Sequence, residues 1–457
     1  MTARQWLRLV LVGLGAAIVP LDTAVNIAFP AITHSFGLPI RMIQWVVICY
    51  VLTYASLMLA FGRVGDIFGH ARVFRAGLAW SVAAFLLCAA APAYGWLLFF
   101  RFLQGIGAGL VISVAPALVT GLFPENRRSR AVAAFTMIFA LGSAVGPLIG
   151  GALVSRWGWP AVFWFRAPIA LAALVSAHGL PPPQRTGARE PLDLVGAFLL
   201  ALAITTLLLL VNALQGFGRY DYLAVPLLAL ALTSMVAFVR RETRIAAPVV
   251  NLAVFRSLGF AMVNCASVLV YLTSFAVLLF VPYYLVRFTG LSLPLAGAVL
   301  ALSFAGSIAA SPLAGHMIER IRAERIALLG AVLGGGGLFL IGGWGAAPTL
   351  FAIVAALLLQ GFGAGLFQVA YIDVVMATLP HRHRGVAGSI AMLTRTLGIV
   401  SGAAVLTLGF HAIETASAAA GNNPAGAFLA AFGMIFRLAG LGSALTGLAI
   451  ALTVRTR

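Results

Sequence analysis

Lysine is absent from this 457-residue chain, acidic residues number only 11, and charged residues of both signs make up 9%. A soluble domain carries roughly a quarter charged residues, so water is excluded as the main solvent. Three cysteines, Cys49, Cys88 and Cys265, sit singly within apolar segments, with no spacing suited to a metal site or a disulfide framework. No metal-ligand cluster, phosphate-binding loop or pairing of nucleophile with base occurs, which argues against an enzyme and against ATP as a driving force. Neither a cofactor nor a metal is expected. The 29 basic residues, all arginine, leave a formal charge of +18. They gather in short loops instead of along one face, which suits membrane topology and anionic headgroups and does not suit nucleic acid.

What the chain has in abundance is apolar sequence, 62% of its residues. Runs long enough to cross a bilayer, about 20 residues each, recur from end to end and predict about fourteen helical spans. The first, near 7–30, starts like a signal peptide, but Pro20 and Asp22 follow the run Leu9 to Val19 and no small-residue cleavage site does. It reads as a retained helix. Assigning loops alternately puts the arginine-rich PENRRSR, RRETR, ERIRAER and PHRHR on one side, which is then cytoplasmic, together with both termini. The expected location is the cytoplasmic membrane of a bacterium. His381 and His383 stand close together in PHRHR, and a topogenic basic loop explains them better than a metal does.

The chain repeats itself. LQGIGAGL from Leu103 returns as LQGFGAGL from Leu359, 256 residues on, and the same offset aligns FPENRRSRA from Phe123 with LPHRHRGVA from Leu379. Near that offset GRVGDIFGHAR from Gly62 matches GHMIERIRAER from Gly315, setting Asp66 opposite Glu319 and Arg72 opposite Arg325. Self-similarity this long predicts two homologous six-helix halves, 1–180 and 258–457, joined by a linker, 181–257, that holds two extra spans. In transporters built from such repeats, the halves rock about a site near the midplane.

These motifs, in this order, resemble the major facilitator superfamily, specifically its fourteen-span drug:proton antiporter branch, over essentially the whole chain. The resemblance implies an all-α fold of two pseudo-symmetric halves, and proton-coupled export of small organic molecules by alternating access, with the proton gradient as the energy source. GRVGDIFGHAR is similar to the family's cytoplasmic loop signature, so Gly62, Asp66, Gly69 and Arg72, with Glu319 and Arg325 in the second half, are expected to lock one conformation. Ile67, His70 and Ala71 depart from the family's basic residues there, and a tight solvated turn is the plainer account. RFLQGIGAG from Arg101 resembles the fourth-helix motif whose arginine is associated with proton coupling. A charge at mid-membrane costs about 2.5–3.5 kcal/mol on insertion scales and needs a partner. Depth counted along the first and fourth spans makes that partner Asp22, in LDTAVNIAFPAI, which looks like the branch's first-helix motif. Burial favours a neutral carboxyl and a guanidinium favours an ionised one, so access to the pair would switch its protonation. A structural ion pair without proton chemistry is the alternative. Asn26 lies one helical turn from Asp22, an interval one residue shorter than the family's.

GSAVGPLIGG from Gly142 resembles the antiporter signature of the fifth helix. Gly142, Gly146 and Gly150, at four-residue spacing, form a smooth face and Pro147 a kink, which with Gly151 predicts a close-packed hinge between the halves, or else ordinary small-residue packing. In WGWPAVFWFRAP from Trp157, Arg166 stands where the family has a neutral polar residue. Asp22 and Asp373 are the intramembrane acids, against Arg101, Arg166, Arg395 and Arg437. That surplus of positive charge would favour an anionic or zwitterionic substrate over a lipophilic cation, unless Arg166 and Arg437 snorkel to an interface. Polar groups should avoid lipid, so Tyr50, Tyr54, Asn264, Tyr271, Gln360 and Gln368, together with Asn26 and Arg166, are candidates for the substrate cavity. Asp373 and Arg395, at similar depth, are expected to form a second buried pair. A single copy is expected to suffice. A metabolite exporter or an importer on the same fold remains open, and a membrane receptor or scaffold fits the buried charge poorly.

Overall fold

The computed structural model describes residues 3–121, 128–179, 193–215, 221–245, 258–378 and 384–454. Among them the chain is helical throughout, with no strand. In chain order the helices are α1 (Ala3–Ala17), α2 (Ala24–Ile27), α3 (Phe29–Ser35), α4 (Gln44–Phe68), α5 (His70–Ala89), α6 (Tyr94–Gly121), α7 (Arg128–Trp157), α8 (Ala161–Trp164) and α9 (Arg166–Ser176). There follow α10 (Leu194–Gln215), α11 (Asp221–Glu242), α12 (Leu258–Phe288), α13 (Leu293–Ile318), α14 (Ala323–Ile341), α15 (Leu350–Thr378), α16 (Arg384–Ala419) and α17 (Pro424–Val454). Thirteen segments among the described residues are long and apolar enough to cross a membrane. At the expected seventh span, α10 runs for 22 residues, with an apolar stretch at Phe198–Leu207 among the described residues.

Two compact units divide the chain. The first comprises Met1–Leu38, Trp45–Thr206 and Ala229–Val249, and the second Pro39–Gln44, Leu207–Leu228 and Val250–Arg457. The extra helices α10 and α11 thus contribute to both units.

Within the first unit the first span is not one helix. Pro20 lacks the N–H that would continue α1, and the backbone passes through a 3-10 turn, Pro20–Thr23, before α2 resumes. Pro30 then stands in the first turn of α3. Such a break is tolerated at membrane depth only where the freed backbone groups find protein partners. Thr23 Oγ1, which stands close to Pro20 O (2.9 Å) and Ser143 O of α7 (2.9 Å), is one such partner. Gly69, at φ 95°, turns the chain from α4 into α5, a conformation that strains any side-chain-bearing residue.

The repeated LQGxGAGL segment does the same packing work in each unit. In the first, Gly107 of α6 meets α5, where a Cβ would lie 2.5 Å from Ser81 Oγ and 3.0 Å from Trp80 Cδ1. In the second, Gly363 of α15 meets α14, where a Cβ would overlap Gly334 and lie 2.6 Å from Gly330 O. Backbones this close are how helices associate when lipid offers no hydrophobic drive, because small residues maximise dispersion contact. The second unit adds an apolar cluster around Phe260, Val263, Ile326, Leu366 and Phe367.

Candidate functional site

Asp22 lies in the 3-10 turn that interrupts the first span, so its carboxylate projects from a broken helix towards α6 and α9. Arg101 of α6 grips it with two parallel bonds, Nη1 to Oδ1 at 2.7 Å and Nη2 to Oδ2 at 2.8 Å. This planar, bidentate fit is one that lysine cannot make. The expected pairing of Asp22 with Arg101 is present as a contact.

Two further groups complete the cluster. Arg166 Nη1 donates to Asp22 Oδ1 at 2.6 Å, and its Nε donates to Val162 O at 3.1 Å. Gln104, one turn beyond Arg101, accepts from Arg101 Nη1 at 2.8 Å and donates from Nε2 to Asp22 Oδ1 at 3.0 Å. Arg101 Nε closes the set on Val46 O at 2.8 Å. The side chains of Arg166 and Arg101 are 0% and 1% exposed and that of Asp22 is 14% exposed. Aromatic faces supply the rest of the solvation: Arg101 lies 4.3 Å from the Tyr50 ring centre and Arg166 lies 4.6 Å from that of Phe85, with Phe163 between 5 and 6 Å from both. The alternative that Arg166 snorkels is corrected, because it turns inward to a carboxylate instead of outward to an interface. With one acid against two arginines the cluster keeps one positive charge, and Arg166 Nη2 is buried without a hydrogen-bond partner among the described residues.

Gln104 escapes a reading of the sequence, although its repeat counterpart Gln360 does not. Its signal is there, three residues from Arg101 on one helical face.

The glycine face of α7 is filled by the segment that carries Asp22. A Cβ on Gly142 would lie 3.0 Å from Pro20 Cγ, and one on Gly150 would lie 2.8 Å from Ile27 Cγ2; at Gly146 it would overlap Thr23 Oγ1. Gly151 is buried beside them and the helix continues through Pro147. The hinge expected between halves is corrected to that extent: this face packs within the first unit, against residues 17–27.

Of the other candidates, Tyr50 and Tyr54 are buried, with ring centres 5.2 Å apart, and Tyr50 reaches the cluster through Arg101. Asn26 is buried on α2 and makes no hydrogen bond to the cluster. In the second unit Asn264 is committed to protein, donating to Phe260 O at 2.8 Å and accepting from the Tyr371 hydroxyl at 2.8 Å. That hydroxyl also meets Thr394 Oγ1 at 2.9 Å, which meets Ser267 Oγ at 3.1 Å. Gln360 accepts from Ser303 Oγ at 2.6 Å, and Gln368 is half-buried.

The expected second pair is corrected. Asp373 is exposed and makes no ion pair among the described residues, whereas Arg395 lies 5.8 Å from the Tyr271 ring centre. Tyr371 sets the face of α15 that meets α16, and two residues on, about 200° around the helix, Asp373 points away. At the loop signature Gly62 is half-buried, while Arg72, Glu319 and Arg325 are exposed and form no ion pair among the described residues. The Asp66 side chain, the loop at Phe123 and the loop holding His381 and His383 lie outside the described residues. Among the described residues no cluster of three or more potential metal ligands occurs.

Known proteins place this architecture. The chain is 28% identical over 416 residues to the riboflavin transporter RibZ of Clostridioides difficile (strain 630), covering 88% of this chain and 87% of that protein. It is 30% identical over 411 residues to the multidrug resistance protein Stp of Mycobacterium tuberculosis (strain CDC 1551 / Oshkosh), covering 89% and 76%. Its fold matches the crystal structure of the POT family transporter PepTSo, with a TM-score of 0.73 at 15% identity over 100% of this chain and 98% of that one. The family model described as Major Facilitator Superfamily matches residues 11–263 and again 263–456, so that each half of the repeat meets the same description. The chain therefore belongs to the Major Facilitator Superfamily, a multi-pass plasma-membrane transporter and not an enzyme.

Proposed function

We propose that this protein is a proton-coupled exporter of small organic molecules in the fourteen-span drug:proton antiporter branch, working by alternating access with Asp22 as the proton carrier. One observation supports this above others: the acid of the first span sits at a helix break, held by two buried arginines that arrive on two different helices. Relative movement of α6 and α9 would strip guanidinium groups from the carboxylate. A carboxylate so released in a dry site takes up a proton, and rebuilding the clasp expels it. The glycine face of α7, which seats the Asp22 segment, and a relative named as a multidrug resistance protein support the same reading. Gly62, Asp66, Gly69 and Arg72, with Glu319 and Arg325, belong to this proposal as the lock on one conformation, and 1–180, 181–257 and 258–457 as its sequence divisions.

A second reading rests on the residual positive charge and the unpartnered Arg166 Nη2. An anionic or zwitterionic substrate would put its acidic group there and displace Asp22, which then protonates, so that proton and substrate bind together. Binding together drives symport and hence import, whereas a neutral or cationic substrate that leaves Asp22 to the arginines permits exchange. Substrate charge and direction are thus one question.

Reconstitution of wild type and Asp22→Asn in proteoliposomes, under an imposed pH gradient and with a panel that includes riboflavin and matched anionic and cationic dyes, tests both. Wild type is expected to accumulate substrate against its gradient when the far side is acidic, and Asp22→Asn to retain only downhill exchange of substrate. Gradient dependence unchanged in the variant removes Asp22 from coupling.

A further inference from the structure

The extra helix α11 has a surface unlike that of the other spans. Only 17% of its apolar window, Ala224–Glu242, is buried, and Leu230, Leu232, Met235, Val236 and Val239 are all exposed. It therefore faces lipid along most of its length. It ends in Arg240, Arg241 and, after one turn, Arg244, which with Ile245 line an open hollow of about 420 Å³.

Membrane topology alone would need only arginines in a loop. This end is constructed more closely than that. Asp193, whose side chain is fully buried, accepts from Arg241 Nε at 2.6 Å and from Gly196 N at 2.8 Å, so that the carboxylate capping α10 also fixes one arginine of the three. Glu242, the acid next in sequence, is also buried, and its Oε1 lies beside the Asp193 carboxylate, both within reach of a Cβ on Gly196. Arg240 and Arg244 are exposed and form no ion pair among the described residues. Three arginines thus stand over two buried acids, and the exposed Arg240 and Arg244 leave the hollow a concave surface with net positive charge, open to a partner of opposite charge.

We infer that the end of α11 binds the phosphodiester headgroup of an anionic phospholipid, with the lipid's acyl chains along the exposed apolar face of the helix. Guanidinium forks match phosphate oxygens in pairs, which ammonium groups do not. Apolar chains complete the match, because the same helix presents leucine, methionine and valine directly towards the bilayer side of the arginines.

The full-length protein, purified and delipidated, would be incubated with mixed micelles of phosphatidylglycerol or phosphatidylcholine and the retained lipid counted by native mass spectrometry. Wild type is expected to hold phosphatidylglycerol about tenfold more strongly. Arg240→Gln with Arg244→Gln should abolish the preference, whereas the charge-matched control Arg320→Gln with Arg322→Gln should keep it. Equal loss in the control would mean diffuse attraction and overturn the site. Displacement of the lipid by millimolar inorganic phosphate would make it a site for free anions and overturn the lipid assignment. A photoactivatable phosphatidylglycerol tests the same site on the unaltered protein: crosslinks should concentrate on the peptide containing Arg240 to Ile245, and their absence there refutes the inference.

Discussion

Removing the carboxylate of Asp22 and removing the guanidinium of Arg166 should have very unequal consequences for stability, although both break the same 2.6 Å bond. Asp22→Asn leaves two guanidinium groups, 0% and 1% exposed, with no anion to offset them. Breaking a buried ion pair from one side costs about 3–5 kcal/mol, because the surviving charge stays desolvated. Arg166→Met removes a buried charge instead. Asp22 keeps both bonds to Arg101 and the one from Gln104 Nε2, the remaining pair is neutral, and methionine fills the space beside Phe85 and Phe163. That change should lie within about 1 kcal/mol of wild type, or stabilise, since apolar replacement of buried ions is often neutral or better. In the Arg166→Met background only one guanidinium is orphaned when Asp22→Asn is added, so the second substitution should cost roughly 1–3 kcal/mol less than it does alone, a coupling of the size found for residues in one network. Thermal and denaturant unfolding of the four proteins in one detergent measures this cycle. If the two effects add, or if Asp22→Asn leaves stability untouched, the three groups do not form the buried cluster on which the proton mechanism rests.

Two other substitutions probe the scaffold. Gly146→Ala drives a Cβ into Thr23 Oγ1 and to 3.0 Å from Ala24 N, so it should cost about 1–3 kcal/mol and slow gradient-driven transport, whereas Gly336→Ala, with no atom within 4 Å, should leave transport unchanged. Tyr371→Phe removes the hydroxyl shared by Asn264 and Thr394, and the buried amide oxygen left without its donor should lower stability by about 1–3 kcal/mol in the same unfolding assay, with no dependence on the pH gradient.

Much of this architecture is legible in the sequence because lipid imposes simple rules. Apolar length marks the spans, and a charge far from water must have a partner, so counting depth along two helices is enough to join Asp22 to Arg101. Repeated glycines foretell close helix contacts in both units. What escapes is rotation about the helix axis. Asp373 and Arg395 share a depth but not a face, and Asn264 is held by Tyr371 instead of free for a ligand. Both outcomes depend on the azimuth at which α15 packs, which nearly uniform apolar sequence leaves unmarked. Composition reads Arg166 only as surplus charge. Its inward turn follows from the break at Pro20, which carries Asp22 towards α9, and a proline shows where a helix ends without showing where the chain then goes.

The repeat sharpens what the ion cluster means. Gln104 and Gln360 occupy equivalent positions in LQGxGAGL, and each buries its amide in a hydrogen bond. Three residues earlier the halves part company: Arg101 in the first corresponds to Leu357 in the second, and Leu357 is fully buried. Duplication therefore preserved the glycines that let helices touch, whereas among the described residues the buried Asp22–Arg101 chemistry has no counterpart at the equivalent place in the second half. Conserved packing with divergent charge is what a rocking carrier needs if a single carboxylate is to sense which side is open. Two equivalent acids would titrate independently and weaken the link between protonation and conformation. Among the described residues the second half carries neutral hydrogen bonds at the position where the first carries ions, so under the proposed mechanism the proton has one site and not two.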